Sequence, residues 1–524
     1  MELVVQEKGL LAMLWVITNP WHFSARRPMM SMTGQFEVSK IEIVARLAEH
    51  LIPLAQQAAS AGIPIYNFER GVFGGLLAVG GKVMDAFLDA QGNGDQGSIV
   101  THEGQTLHRS EEPACRPLRT IFGQHQFMQF VSRASSDVKS AIVLRPVDQR
   151  LGLSTDRYSP LLQEFSMLFC CEQSFHGSVA AFAQVFGQTL SVDTLEKTSR
   201  RMAAEGEVFL QTLKAPPSSE EGEILVETAD GKGVPLVKQD AQRLLPFEDK
   251  AQRPGNRRMA TLACVYSVDP FVRTPSEIVS MLFRDSIPAL DEPAKEPRPE
   301  ARYKRYFARL PSLMEGLGDE LVSGSIQALA WATKEVSMRR RPDQVLVRLM
   351  DGQHSQWSDA EACRENLPDA HCVDILDVLH VASYVWKAAK ALCSSAAEQQ
   401  EFARERIFRI LSGEVSGVIM GLKQMSTRRQ LSSDKAADID TVCGYFTAHQ
   451  ARMKYHEYLA AGYPIATGVI EGACRHLVKD RLERSGMKWT SEGAQALLTL
   501  RSIKASNAWD DFHKLLHPAY QMAG

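Results

Sequence analysis

The sequence predicts an α/β chain, with a mixed α/β region over residues 222–524 behind mainly helical segments over 36–98 and 99–215. Three observations carry this. Residues 224–229, 259–268 and 345–350 are apolar runs of strand length, the last nearly continuous, as for a strand buried on both faces. Around them lie stretches with apolar residues three and four apart, the pattern of helices packed on a sheet. Near the start, Ile41, Ile43, Val44, Leu47, Leu51, Leu54 and Ala55 share one helical face within 36–90.

The chain has 524 residues, 44 % hydrophobic and 23 % charged, which excludes a disordered, collagen-like or mucin-like polypeptide. At roughly 150 residues per domain this length accommodates about three domains. A net charge of −3 argues against a protein that coats nucleic acid non-specifically, but leaves room for a local basic surface. None of the 9 cysteines forms a CxxC pair, so the expectation is a reducing, cytoplasmic compartment with no disulfide framework or zinc knuckle. The apolar run over 9–18 is too short to span a bilayer and lacks a small-residue cleavage site. Met29, Met30 and Met32 follow it, and residues 1–35 read as an N-terminal extension outside the core.

Each later element has its own signal. The polar, glycine-rich stretch 91–98 marks a hinge, and 118–127 reads as two short strands around Gly123. Ser159-Pro160 starts a helical region. Residues 179–187 end at Gly187, a short turn follows, and Ser191 or Asp193 caps a second helix over 193–203. That is the grammar of a helix-turn-helix within a DNA-binding region over 99–215, with Lys197, Arg200 and Arg201 as exposed DNA-binding candidates; an ordinary helical hairpin is the plainer alternative. Residues 215–222 read as a linker, 276–290 as purely structural, 291–299 as a proline-rich loop and 303–338 as long helices.

The residue types that carry chemistry are acidic. Asp230 and Asp351 each end an apolar strand and precede glycine, so each carboxylate is expected to point into a crevice while the backbone turns away. A common Asp-Gly turn accounts for one such case more easily than for two. Glu471 opens an apolar-striped helix between Gly468 and Gly472, where backbone or ligand can approach closely; an ion pair with Arg475 is the simpler reading. Asp374 and Asp377 compete with Asp351. Asp377 and His380 stand beside Tyr384 on one face at the start of a helix, where they either cap it, hold a metal or contact DNA. Asp351 is preferred because it ends a buried strand, as Asp230 does.

These residues carry a resemblance. Ala229-Asp-Gly-Lys-Gly-Val-Pro-Leu236, Met350-Asp-Gly-Gln-His-Ser-Gln-Trp357, Ile375-Leu-Asp-Val-Leu-His380 and the long block from Thr467 to Arg481, closing with Gly486-Met-Lys-Trp489, resemble the blocks of the ISKra-type insertion-sequence transposases. With Leu118-Arg-Thr-Ile-Phe-Gly123, the likeness runs over about 115–505. It implies a ribonuclease H-like DDE catalytic domain over 222–524 with a helical insertion near 395–460, whose open sheet carries the first two acids and whose helix carries the third. The resemblance makes Asp230, Asp351 and Glu471 the catalytic, metal-binding residues, holding two divalent ions, for which hard oxygen ligands suit Mg²⁺ or Mn²⁺. Asp377, His380, Arg475, His476 and Lys479 would support them or contact DNA. The implied partner is double-stranded DNA, as terminal inverted repeats and target, with the chain a homodimer or larger when DNA ends are paired. The alternatives are a catalytically silent DNA-binding regulator and a nuclease without strand transfer. Arginines over 253–258, 298–309 and 339–341, with Arg404, Arg406, Arg409, Lys423, Arg428 and Arg429 of the insertion, could build a DNA path. Many relatives have a cysteine pair before the Leu118 block; here only Cys115 is near.

Overall fold

The computed structural model describes residues 53, 55–137, 139–245, 255–285, 297–314, 320–365, 367, 372–484 and 486–517. The expected extension over 1–35, and most of the apolar stripe from Ile41 to Leu54, lie outside them. The chain divides into two compact units, Met1–Thr198 with His517–Gly524, and Ser199–Leu516. The division falls inside one helix rather than at the linker expected over 215–222. That stretch belongs to the second unit, because Gly222 N–H donates to Ser267 and Glu221 is buried against Arg339.

In the first unit, α1 (Ile65–Ala90) packs on the hairpin of β3 (Ala114–Thr120) and β4 (Gly123–Gln129), which turns near Gly123 as expected. Leu88, Leu118, Phe127 and Val147 form the contact, and Gly80 lets the Phe122 ring lie directly on the helix backbone. Among the described residues α1 is the helix long and apolar enough to cross a membrane by length and composition. It nevertheless makes polar bonds to its own unit, since His125 Nδ1 lies 2.7 Å from Asp85. Four short strands, β1 (Ile99–His102), β2 (Gln105–Arg109), β5 (Ser132–Arg133) and β6 (Ile142–Leu144), form a separate antiparallel sheet.

The helix-turn-helix order is present. A helix over Phe175–Phe186 ends at Gly187 in the left-handed conformation (φ 66°), and Ser191 caps the next through a 3.1 Å bond from Thr194 N–H. The turn is tied to the hairpin by Gln188, which donates to the Thr120 and Ile121 carbonyls at 2.8 Å. The second helix runs over Val192–Thr212, well beyond the expected 193–203, because Phe209 and Leu210 are buried in the second unit.

The second unit is built on a five-stranded sheet in the order β13-β12-β7-β8-β9. Strands β7 (Ile224–Pro235), β8 (Arg257–Val268) and β9 (Arg302–Arg309) form an antiparallel meander. A helix over Gly324–Arg339 then leads to β12 (Val345–Met350), parallel to β7, and a helix over His354–Arg364 leads to β13 (Cys372–Leu376), parallel to β12. Two expectations are corrected. β7 does not stop at Ala229: beyond it the strand loses β12 but stays paired with β8 as far as Pro235. The start of 303–338 is a strand, not a helix, because Tyr306, Phe307 and Ala308 bury against the sheet and against the helix over Ser491–Ala505.

After β13 the helix Val378–Leu392 receives the expected insertion, as helices over Ala396–Leu411, Val415–Arg428 and Ser433–His449. The helix expected over 439–458 is broken by a 3₁₀ turn at Gln450–Arg452 before Tyr455–Ala460. Several arginines expected to line a DNA path are instead held in ion pairs, some of them buried. Arg339 is wholly buried between Glu221 (2.7 Å) and Glu335, Arg305 binds Glu335 (2.6 Å), Arg302 binds Asp269 (2.7 Å) and Arg309 binds Glu207 (2.6 Å). Arg404 of the insertion binds Asp285. A guanidinium committed to a carboxylate in this way is less available to a phosphate, and in the buried pairs its charge is neutralised inside the fold.

Glu227, near the middle of β7, is buried against Arg348, and burial pushes its carboxyl up to about 7 despite that neighbour. A carboxyl with a raised folded pKa stabilises the fold at low pH and loses that contribution as the pH rises from its unfolded value to its folded one. Stability should therefore decline between about pH 4.5 and 7 by up to about 1.4 kcal/mol per pH unit from this group. Glu227→Gln is expected to remove that part of the slope in denaturant titrations across the range.

Candidate functional site

The registers of the central strands bring two acids together. Met350 pairs with Ala229 across the parallel β12–β7 ladder, so Asp230 and Asp351 follow at the point where the two strands part. Neighbouring strands run about 4.8 Å apart, which explains why the Asp351 charge acts on Asp230. Asp230 Oδ1 accepts from Gly231 N–H (2.6 Å), and the Cys474 thiol also bonds its carboxylate. Asp351 Oδ1 accepts from Gln353 N–H (2.9 Å), while the Asp351 carbonyl accepts from Trp357 Nε1 (2.6 Å). Asp351 thus ends its strand as expected; Asp230 is an interior residue of a strand whose neighbour has ended.

Glu471 comes from a helix that starts as Gly468–Ala473, widens to a π-helical turn over Cys474–Lys479 and tightens again over Asp480–Leu482. Such π turns often mark sites where function overrides regular bonding. Buried Ile470, Cys474, Leu477, Val478 and Leu482 hold this helix down, as their spacing predicts. The Trp489 block clamps its far end: Trp489 Nε1 donates to the Leu482 carbonyl (3.0 Å), and Trp489 N–H donates to the Pro235 carbonyl at the end of β7 (3.0 Å). Glu471 itself faces inward, accepting from Thr467 Oγ1 at 3.4 Å, and Arg475 is exposed.

Asp374 and Asp377 have distinct jobs. Asp374, on β13, is held by Arg348 through bonds of 2.7 and 2.9 Å. Asp377 is 0 % exposed and caps the helix Val378–Leu392. Its Oδ1 accepts from Leu379 N–H (3.3 Å) and Thr467 N–H (3.1 Å), its Oδ2 from His380 N–H (3.2 Å) and His380 Nδ1 (2.9 Å). The ligand atoms of Asp377, His380 and Glu471 lie within 4.8 Å of one another. A carboxylate has about four acceptor sites, and those of Asp377 are already engaged, so it acts as an anchor. With Nδ1–H donated to Asp377, His380 keeps Nε2 for Glu471 or a substrate.

Electrostatically the site is an unbalanced acidic cluster. Burial raises the carboxyl of Asp230, with Asp351 adding to it; burial also raises that of Glu471, with Asp377 and Asp230 adding. His380 opposes both rises, and its own imidazole is raised chiefly by its bond to Asp377. Asp230, Asp351 and Glu471 are hard oxygen donors of the kind that Mg²⁺ or Mn²⁺ takes, and a cation would relieve the repulsion that Asp230 feels from its acidic neighbours.

Arg475, His476 and Lys479 are exposed on the Glu471 helix, with His476 lying 3.3 Å from Asp480. On the Val192–Thr212 helix, Lys197 is exposed and paired to Asp193 (2.9 Å), and Arg201 is exposed. Arg200 departs from expectation: it is half-buried and faces Glu492 at 3.7 Å. Reasoning from sequence missed Cys474 as a bond to Asp230, Thr467 as the link from Asp377 to Glu471, and Tyr445 and His449 of the insertion. Thr467 and Cys474 stood inside the Glu471 block and were legible there as polar groups; Tyr445 and His449 had no signal.

Both raised carboxyls cost stability once ionised, because a raised folded pKa means stability lost as the pH climbs through it. In divalent-free buffer at pH 7, Asp230→Asn is therefore expected to raise the melting temperature, by roughly 2 °C per kcal/mol released. Mg²⁺ should stabilise the wild-type chain more than this variant, and more at pH 7 than at pH 5. An unchanged melting temperature with equal Mg²⁺ response would remove Asp230 from the cluster.

Compared with known protein families and with curated proteins, the chain matches none.

Proposed function

We propose that this chain is a DDE transposase with a ribonuclease H-like catalytic domain, which cuts and joins DNA at the terminal inverted repeats of its own insertion sequence. The observation that supports the reading is that Asp230 lies close enough to both Asp351, on the parallel neighbouring strand, and Glu471, on a helix, to feel their charges, with a run of helices between the second and third acids. The same arrangement is what the resemblance to ISKra-type transposases implies.

In this reading Asp230, Asp351 and Glu471 hold Mg²⁺ or Mn²⁺, two ions in the implied chemistry. Divalent ions held there would supply a nucleophilic water or 3′-hydroxyl at neutral pH and stabilisation of the leaving oxygen. The chain's own work is positional. Asp377 fixes the start of the Glu471 helix through Thr467, and Cys474 and Gly231 orient the Asp230 carboxylate. Exposed Arg475 and Lys479 lie on the same helix as Glu471, where they suit phosphates near the reacting bond. The expected setting is the cytoplasm and its nucleoid, with two or more copies paired on DNA ends.

The test is Mg²⁺-dependent cleavage and strand transfer on the element's own ends by the full chain. Asp230→Asn, Asp351→Asn and Glu471→Gln are each expected to abolish both reactions while leaving end binding within a few-fold. Full cleavage by any one variant strikes that residue from the site, and cleavage without joining favours a plain nuclease.

End recognition is assigned to the helix-turn-helix, through Lys197 and Arg201. Each alanine substitution that removes a phosphate contact should flatten the dependence of binding on salt by about one unit. Equal affinity for ends and random DNA would reject sequence recognition by this unit.

A further inference from the structure

The insertion reaches the acidic cluster at one point. Tyr445, on the helix Ser433–His449, lies against Gly352, the residue after Asp351. A Cβ at position 352 would overlap the Tyr445 ring, so glycine is required there for contact rather than for an unusual backbone angle. Tyr445 has little freedom to withdraw. Its ring stacks on Tyr384 with centroids 3.8 Å apart and planes 4° from parallel, and it touches His449 at 4.8 Å.

Two further residues of the same stretch grip the same turn. The buried His449 ring lies within hydrogen-bonding reach of the Gly352 backbone. Arg452 stacks at 4.2 Å on Trp357, whose Nε1 holds the Asp351 carbonyl. Tyr445 and His449 lie one turn apart on the helix and Arg452 in the 3₁₀ turn that follows it, and all three meet the Asp351 turn. The Tyr445 hydroxyl is buried and has no hydrogen-bond partner among the described residues, so the ring and its oxygen meet Gly352 by packing rather than by a hydrogen bond.

We infer that Tyr445 is a positioning residue: seated on Gly352, it fixes the Asp351 carboxylate for a divalent ion and makes the insertion part of the catalytic centre. This rests on the reading of Asp351 as a metal ligand. Such support around a ligand is typically worth 10- to 100-fold in metal affinity, which sets the size of the effect.

The experiment measures Mn²⁺ binding by the full chain, from the spin-resonance signal of the free ion, with melting temperature and end cleavage recorded in parallel. Tyr445→Ala is expected to weaken Mn²⁺ binding about 10-fold or more. Tyr445→Phe should bind within about two-fold of wild type, since it keeps the ring and the stack on Tyr384. Gly352→Ala should also weaken binding, and combining it with Tyr445→Ala should cost no more than Tyr445→Ala alone, because the obstructing ring is gone. If Gly352→Ala does not fold, the two Tyr445 variants decide the matter. Wild-type Mn²⁺ affinity in Tyr445→Ala overturns the inference, as does equal loss in Tyr445→Phe. A wild-type chain that binds Mn²⁺ and shows these differences without cutting DNA upholds the inference and overturns the transposase reading; one that binds no Mn²⁺ overturns both.

Discussion

A fully buried carboxylate, Asp377, joins the parts of the candidate site. Its backbone N–H donates to the Met350 carbonyl (2.9 Å), one residue before Asp351. Its side chain takes the first N–H groups of its own helix, the His380 ring and the N–H of Thr467, four residues before Glu471. Leaving a carboxylate in the interior without donors would cost several kcal/mol; four donors and the positive end of a helix offset that. The constraint is mutual, since each donor segment is located by the same two oxygens. The sheet positions Asp230 and Asp351, and Asp377 positions Glu471 relative to them.

Charge is distributed to the same end. The sheet's flanks bury arginines in pairs with glutamate and aspartate, so several of the basic residues that stand out in the sequence neutralise the interior. The acids at the strand ends have only His380 facing them as a cation among the causes that shift Asp230 and Glu471. An interior that balances its own charge while one crevice stays acidic stores repulsion at that crevice. Strained polar clusters of this kind are characteristic of places built for a ligand.

The helical insertion follows from the same economy of contacts. Its helices bury apolar faces against the helix Val378–Leu392, which Asp377 caps, so the anchor of the acidic cluster also seats the insertion. Tyr384 on that helix then stacks on Tyr445 from the insertion. These helices therefore meet the Asp351 turn through packing.

Much of this was legible in the sequence. The buried strands announced themselves as apolar runs, and the Glu471 helix by a stripe that the structure buries residue by residue. Asp351 before Gly352 marked a strand end. Periodicity of burial is a local property, and it survives in the sequence. It misled at 303–309, where helix-like spacing lost to the third strand of a meander, and at Asp230, where an Asp-Gly pair resembled a strand end although β8 continued beside it. Only the tertiary structure decided that Asp374 belongs to Arg348 and Asp377 to Thr467, two residues three apart with opposite partners. It alone decided which arginines are internal, because a guanidinium reads the same in the sequence whether it faces a phosphate or a buried glutamate. It alone, too, brought Tyr445 against Gly352: a contact between a ring and a missing side chain leaves no pattern along the chain, since its cause is the packing of segments far apart in sequence.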